Sequence, residues 1–500
     1  MVSAAAANPV MSVCVIRVDA KRRWVAQFAL SLALFLGSAC APALAADPSP
    51  PAQSAPPQGW SAVSVEDLKQ RWPKLALEHK VLAIDQLIKI GEFDLAGAYL
   101  AALKPTQPVA ALDVRFLFGS LRKAQGRLPE AIDIFRDVLA RHPGHVRARF
   151  ELAQSLFLAQ QDESARHHFD LVRGSLTNTG LDRVVQGYVD AMDQRRRWNA
   201  SAYFSIAPST NLNQGTDSKT VSLNGLDFTI DDHATKKSGV GAVTGFNAGY
   251  RQPLTDRLDL VIGGGANIRQ YDQDVFNDYV ATGELGPRYR FDWGDIGLYA
   301  TGSRRWHSRD EYQLGTARAS GHHFGADPYA VFLGGRFAIN ARFGPQDIAS
   351  GNFACLEKRF DTFVWQNGEN CAVQVSWDHF LDSTTFIRVL GGSEIERTRT
   401  AHANFIAANA GFGAYHEFGW GMTFYGQAMY TRREFDGIYP ATTTAREDDR
   451  LDLTLMVTKR DWTIFGLAPS IQYTYSLLNS NVAAAAFDAH GATFTFTKKF

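Results

Sequence analysis

From Trp198 onward the apolar residues of this chain recur at every second position, a period that only a β-strand can use. Tyr279, Ala281, Gly283, Leu285, Pro287, Tyr289 and Phe291 carry no charge, while Glu284, Arg288 and Arg290 fall on the opposite face. Leu258, Leu260, Ile262, Gly264, Ala266 and Ile268 alternate with Asp259, Asn267 and Arg269. The same holds for Trp420, Met422, Phe424, Gly426, Ala428 and Tyr430 against Thr423, Gln427 and Arg432. It holds again for Leu451, Leu453, Leu455 and Val457 against Asp452, Thr454 and Thr458. One apolar and one polar face over about ten residues suits a strand between lipid and a polar lumen. The strands of a soluble sandwich are shorter, about five to six residues. Tyr271, Phe291, Trp293, Trp306, Trp420, Tyr430 and Trp462 fall near strand ends, as aromatic girdles do.

The connections alternate in length. Tight turns are expected at Pro253–Asp256, Asp292–Asp295, Leu381–Ser383, Phe418–Gly419 and Arg460–Asp461, with longer polar loops between them. In the middle, strands are placed near 312–324 and 329–343, joined by a turn at Ala326-Asp327-Pro328. Residues 344–372 then form an outer loop carrying Cys355 and Cys371. The total is an antiparallel transmembrane barrel of about fourteen strands, an even number that leaves both ends on the short-turn side. The chain closes on alternating Phe494, Phe496 and Phe500, which resembles the carboxy-terminal signal of barrels inserted into outer membranes.

Residues 61–195 have the helical period instead, so the fold class is α + β multidomain. Phe118, Gly119, Ala131 and Phe135 recur thirty-four residues later as Leu152, Ala153, Ala165 and Phe169. That spacing is the period of the tetratricopeptide repeat. Small residues at Gly119, Ala131, Ala153 and Ala165 let paired helices approach, and the two phenylalanines fill the space between repeats. Gly126 turns the chain inside a pair and Pro143 ends the second helix. A weaker unit with Gly91, Ala96 and Leu100 precedes them, and helices at 62–76 and 181–195 are expected to cap the stack.

Residues 1–45 read as a signal peptide: Lys21, Arg22 and Arg23 precede an apolar run, and Ala43-Leu44-Ala45 places cleavage after Ala45. Alternatives are an anchor helix, or a lipoprotein acylated at Cys40. Residues 46–60 form a proline-rich linker, 61–195 the repeat domain and 196–500 the barrel. The formal net charge of zero excludes a global basic field for nucleic acid. In the mature chain only Cys355 and Cys371 remain, one possible disulfide in an exported protein.

No catalytic, cofactor or metal residue is assigned. Gly263-Gly264-Gly265 lacks the lysine and helix of a phosphate loop. His322-His323 and His167-His168 lack ligand partners at metal spacing. Asp231-Asp232 and Glu447-Asp448-Asp449 lack the glycine-containing loop of a calcium site. Arg195-Arg196-Arg197 is either a lipid contact or a solvated run at the junction.

The junction segment Trp198–Gln214, WNASAYFSIAPSTNLNQ, opens a strand with Trp and carries Asn211 and Asn213 in a polar first loop. With repeats before it and a barrel after it, the chain from about residue 75 resembles the Slam family, the surface lipoprotein assembly modulators. The resemblance implies a fourteen-stranded barrel with a periplasmic repeat domain, and a non-enzymatic role in moving specific lipoproteins to the cell surface. It implies clients with a small barrel domain of their own, and contact with outer-membrane lipid, insertion machinery and periplasmic chaperones. Soluble secreted clients stay open. The competing expectation is an outer-membrane polysaccharide channel, for which a lumen of one charge sign is required; Asp259, Glu284, Arg269 and Arg288 mix signs.

Overall fold

The computed structural model describes residues 65–103, 108–176, 179–195, 197–223, 226–230, 235–273, 276–307, 330–360, 364–440, 442–462 and 467–497. The signal peptide with Ala45, the linker, Asp231-Asp232, the strand expected at 312–324 with its turn, His322-His323 and Phe500 lie outside those residues.

Among the described residues eight helices come first: α1 (Val65–Arg71), α2 (Leu77–Ile90), α3 (Phe93–Ala102), α4 (Pro108–Ala124), α5 (Leu128–Arg141), α6 (Val146–Leu158), α7 (Asp162–Arg173) and α8 (Thr179–Arg195). Gly91 and Gly126 end α2 and α4 in the left-handed region, at φ 87° and 75°, where a Cβ would be strained. Pro129 stands in the first turn of α5, where its missing N–H costs nothing. Helix α5 buries Ala131, Ile132, Phe135, Val138 and Leu139, one stripe at helical spacing. A Cβ on Gly119 would come within 2.6 Å of the Phe135 ring, so the absence of a side chain sets the α4–α5 distance. Phe169 is fully buried between α6 and α8, 6.0 Å from the Phe150 ring and stacked at 5.1 Å on Tyr188. Ala131, Leu152, Ala153 and Ala165 are buried in the same core, with Phe118 packed against it.

Fourteen strands then close into a barrel, each paired antiparallel with its neighbours in the sequence and the last with the first. They are β1 (Trp198–Ser209), β4 (Gly239–Pro253), β5 (Leu258–Tyr271), β6 (Asp278–Phe291), β7 (Gly294–His307), β8 (Ala330–Phe343), β9 (Asp347–Phe360), β10 (Gly368–Phe380), β11 (Thr385–Thr398), β12 (Phe405–Glu417), β13 (Met422–Ile438), β14 (Ala445–Lys459), β15 (Ala468–Ser480) and β16 (Phe487–Thr497). A small hairpin, β2 (Thr220–Leu223) with β3 (Leu226–Thr229), sits in the first long loop. The strands run from 11 to 17 residues, enough to cross a bilayer at a tilt. Large apolar side chains such as Phe246, Ile262, Leu285, Leu298, Phe412 and Leu455 stay exposed on the outer face, which suits lipid and not water. Phe494 and Phe496 belong to this outer set on β16.

The middle of the wall differs from the sequence expectation. Strand β7 pairs directly with β8, so the wall closes without any strand from 308–329. Residues 344–346 make a tight turn, and β9 fills what was expected to be an outer loop. Cys355 and Cys371 therefore sit in the wall, opposite each other on β9 and β10 with Cα atoms 4.1 Å apart, and the structure joins them. The physical reason is composition. The outward positions of β9 are Ala349, Gly351, Phe353 and Cys355, too small to announce a lipid-facing strand. Trp420 is also displaced: it lies in the β12–β13 turn at φ 63°, and the strand starts at Met422.

Candidate functional site

The repeat helices are seated on the end of the barrel that carries the short turns. Three helices supply the contacts. The carbonyl of Ala140, in the last turn of α5, accepts a 3.0 Å hydrogen bond from the Gly421 N–H in the β12–β13 turn. The end of α7 meets β8–β11: Asp170 pairs with Arg342, and the Gly174 carbonyl accepts from Gln346 Nε2 at 3.1 Å. Gly174 is required by that approach, because a Cβ there would meet the Asp382 carbonyl oxygen at 2.5 Å and Phe380 Cβ at 2.8 Å. Leu171 is fully buried against Phe380 and Tyr415, the latter stacked at 4.8 Å on Phe386.

Between these contacts lies a buried charge cluster. Arg149 on α6 and Glu417 at the end of β12 both have wholly inaccessible side chains. Arg149 donates from Nη2 to Glu417 Oε2 at 2.7 Å and from Nη1 to Oε1 at 3.3 Å, a two-pronged pair. Its Nη2 also reaches the Pro143 carbonyl at 2.8 Å. Arg460, just after β14, donates to Glu417 Oε2 at 2.8 Å and to the Phe418 carbonyl at 2.9 Å. The Tyr415 hydroxyl donates to Glu417 Oε1 at 2.8 Å. One carboxylate thus holds two guanidiniums, one from each domain, away from water. Desolvating such a group is costly, and removing one member leaves the others buried and uncompensated.

Two histidines complete the contact. His168 Nδ1 lies 3.4 Å from Arg149 Nη1, and His167 Nε2 lies 3.3 Å from the Tyr415 hydroxyl. Burial pushes the pKa of both rings below the usual histidine value, and the Arg149 charge adds to this at His168. Both are neutral at pH 7. The pair is thus a docking element. Among the described residues no group of three His, Cys, Asp or Glu stands ready to hold a metal.

The lumen pairs its charges. Asp259, fully buried, accepts from Arg251 at 3.2 Å and lies 3.3 Å from Arg290. Glu284 meets Arg336 at 2.6 Å, Arg288 lies 3.6 Å from Asp295, and Asp378 binds Arg388 at 2.6 Å. Of the basic run before the barrel, Arg195 is used inside the repeat domain, bound to Asp162 and to the Phe157 carbonyl. Asn211, expected in a polar first loop, is buried there: its side-chain N–H groups reach the carbonyls of Gly215 and Asp488, both at 2.8 Å.

Residues 198–500 match the family model described as surface lipoprotein assembly modifier. The chain belongs to the surface lipoprotein assembly modifier family. Residues 123–178 match a tetratricopeptide repeat model as well, covering α5 to α7. A relative named surface lipoprotein assembly modifier 1, from Haemophilus influenzae, is 20% identical over 76% of this chain and 76% of its own. Another of that name, from Neisseria meningitidis serogroup B, is 27% identical over 39% of this chain and 38% of its own. Among solved structures, OmpT of Vibrio cholerae covers 60% of this chain and 97% of its own at 10% identity, with a TM-score of 0.33.

Proposed function

We propose that this chain is an outer-membrane export factor that moves specific lipoproteins, or related secreted proteins, to the cell surface. The observation that carries the reading is the seat of the repeat domain: the Arg149–Glu417–Arg460 cluster fixes a protein-binding array at the short-turn mouth of the barrel. In barrels of this class the short turns face the periplasm, so the array would meet clients before they cross. Holding a client there raises its effective concentration at the barrel without any new contact to the pore. The role is binding and routing, not catalysis. Residues 1–45 would be the signal peptide, 46–60 a linker, 61–195 the periplasmic client-binding domain and 196–500 the membrane domain. The mixed lumen charges, with Asp259, Glu284 and Asp378 each held by an arginine, favour this over a conduit for a charged polysaccharide.

Protease shaving of intact cells tests the reading. An epitope-tagged lipoprotein with a carboxy-terminal barrel domain is co-expressed with the full chain or with residues 196–500 alone. Surface exposure is expected only with the full chain. Unchanged lipoprotein location together with altered polysaccharide release would replace the reading with the polymer channel.

A further inference from the structure

The lipid-facing rows at the long-loop end of the wall are of two kinds. On β4 to β7 they hold Val240, Ala242, Ile268, Tyr279 and Trp306, and among the described residues of those rows Arg304 is the one charge. Arg304 is already laid over the Trp306 ring, 5.2 Å from its centroid. On β9 to β11 the rows are apolar first and then charged. Phe353, Val373 and Val389 are exposed on the outer face. Strand alternation keeps Cys355, Cys371 and Ile395 on that face, and beyond them Glu357, Arg359, Glu369 and Arg397.

These charged rows meet in a cleft of about 520 Å³ between the β9–β10 and β11–β12 loops. The two loops are tied together. The Arg399 N–H donates to the Asn367 carbonyl at 3.1 Å, and Thr400 Oγ1 donates to the Trp365 carbonyl at 3.3 Å. The His402 ring lies 5.5 Å from the Trp365 ring. The cleft is lined by three guanidiniums, Arg359, Arg397 and Arg399, and two carboxylates, Glu357 and Glu369. Lys358 lines it as well, but its ammonium is taken by Glu396. Arg359 Nη2 donates to Glu357 Oε1 at 2.8 Å, and Arg397 Nη1 donates to Asp436 Oδ2 at 2.9 Å. Each acid uses part of a five-donor fork and leaves N–H groups over. Arg399 is exposed and forms no ion pair among the described residues. Glu369 stands in register with Glu357 on one side and Arg397 on the other, and it too forms no ion pair among the described residues.

Guanidinium forks suit the oxygens of a phosphate, and three of them around one cleft have donors to spare for it. A bare phosphate would also meet the two carboxylates, which repel it. A ligand with hydroxyl donors beside its phosphate turns Glu369 from a repelling group into an acceptor. The wall next to the cleft is apolar and faces lipid, so the same ligand lays acyl chains there. We propose that this cleft binds the phosphorylated sugar headgroup of an outer-leaflet glycolipid. Arg359, Arg397 and Arg399 hold phosphate, Glu369 takes a sugar hydroxyl, and the chains run along Phe353 and Val373. The site does not depend on what the client is. It takes only its membrane side from the reading that the short turns face the periplasm.

Native mass spectrometry of the full chain in detergent micelles tests this. The probe is lipid A bisphosphate, and heat-modifiable gel mobility confirms that each variant folds. R359Q/R399Q is expected to bind the probe at least about tenfold more weakly, the loss of one charge-assisted contact or more. R304Q, on the neutral side of the wall, is expected to bind it as the unsubstituted chain does. Phosphatidylglycerol is expected to bind at least about tenfold more weakly than lipid A, and inorganic phosphate at matched phosphate concentration to displace no lipid. Undiminished binding by R359Q/R399Q, or an equal loss in R304Q, overturns the site. Equal binding of phosphatidylglycerol, or displacement by inorganic phosphate, overturns the glycolipid as its occupant. In intact cells R399C is expected to react with a membrane-impermeant maleimide. Lipid A binding without that labelling overturns the orientation, and the export reading with it, while the headgroup site stands.

Discussion

On one side of the barrel mouth, formed by the turns from β8 to β15, the repeat helices press Leu171, Gly174 and Arg149 against Phe380, Asp382 and Glu417, and Leu171, Arg149 and Glu417 are closed off from solvent. On the other side, the turn tips at Leu254 and Trp293 stay exposed. The difference shows what each side can do. A seat made of buried charges and a backbone-to-backbone bond tolerates little displacement, because every intermediate position strands a guanidinium or a carboxylate in a dry site. An exposed turn tip carries no such penalty. The mouth thus has a flank that seats the repeats and a flank whose turn tips stay open.

The largest blow to this contrast is E417A, which leaves Arg149 and Arg460 buried without a counter-charge. The expected cost is about 3–5 kcal/mol of docking free energy. Limited proteolysis should then release the repeat domain, while the gel mobility of the folded barrel is retained. If the repeats stay protected, the cluster does not hold the seat. A smaller effect is expected from C355S/C371S. Closing a loop of this length contributes about 3 kcal/mol in the chain-entropy model, and here the β9–β10 ladder already holds the same strands. The thermal midpoint of the barrel should fall, with docking unchanged and no maleimide labelling of the unsubstituted chain before reduction. Labelling without reductant would show that the two thiols are not bonded.

The smallest effect comes from pH. An undocked histidine takes up a proton near about 6.5, whereas burial holds the docked His167 and His168 rings lower. Between those values the undocked state binds more protons, so docking weakens as pH falls and is insensitive above about pH 7. Proteolysis at pH 5.5 should be faster than at pH 7.5, and H168Q should flatten the difference. Equal rates for the unsubstituted chain would remove the histidines from the contact.

The repeat packing and most of the wall could be read directly from the chain. The outward rows of β5, β6 and β14 follow from spacing alone, because each is a local period in one element, whereas Phe135, expected between repeats, packs over Gly119 of its own helix pair. Strand β9 was hidden since its outward row is short of large apolar residues, and a strand with a small outer face looks like a polar loop. The docking cluster left no local trace. Arg149 and Glu417 stand 268 positions apart, and an arginine on a helix or a glutamate before a turn is ordinarily solvated. The His167 and His168 rings show no hydrogen-bond partner in their own helix: His168 meets Arg149 on the preceding helix, and His167 meets Tyr415 across the domain boundary.

The distance of 268 positions between Arg149 and Glu417 also dictates an order of assembly. The repeat helices complete their own core from residues within a few turns of one another, long before β12 is made and in place. Until then Arg149 is the visible part of an unfilled socket. An apolar socket would expose a sticky patch during that wait and invite aggregation. A charged one is hydrated while it waits and becomes costly to leave only after its counterpart arrives. The choice of arginine and glutamate over leucine therefore serves the juvenile protein as much as the finished one.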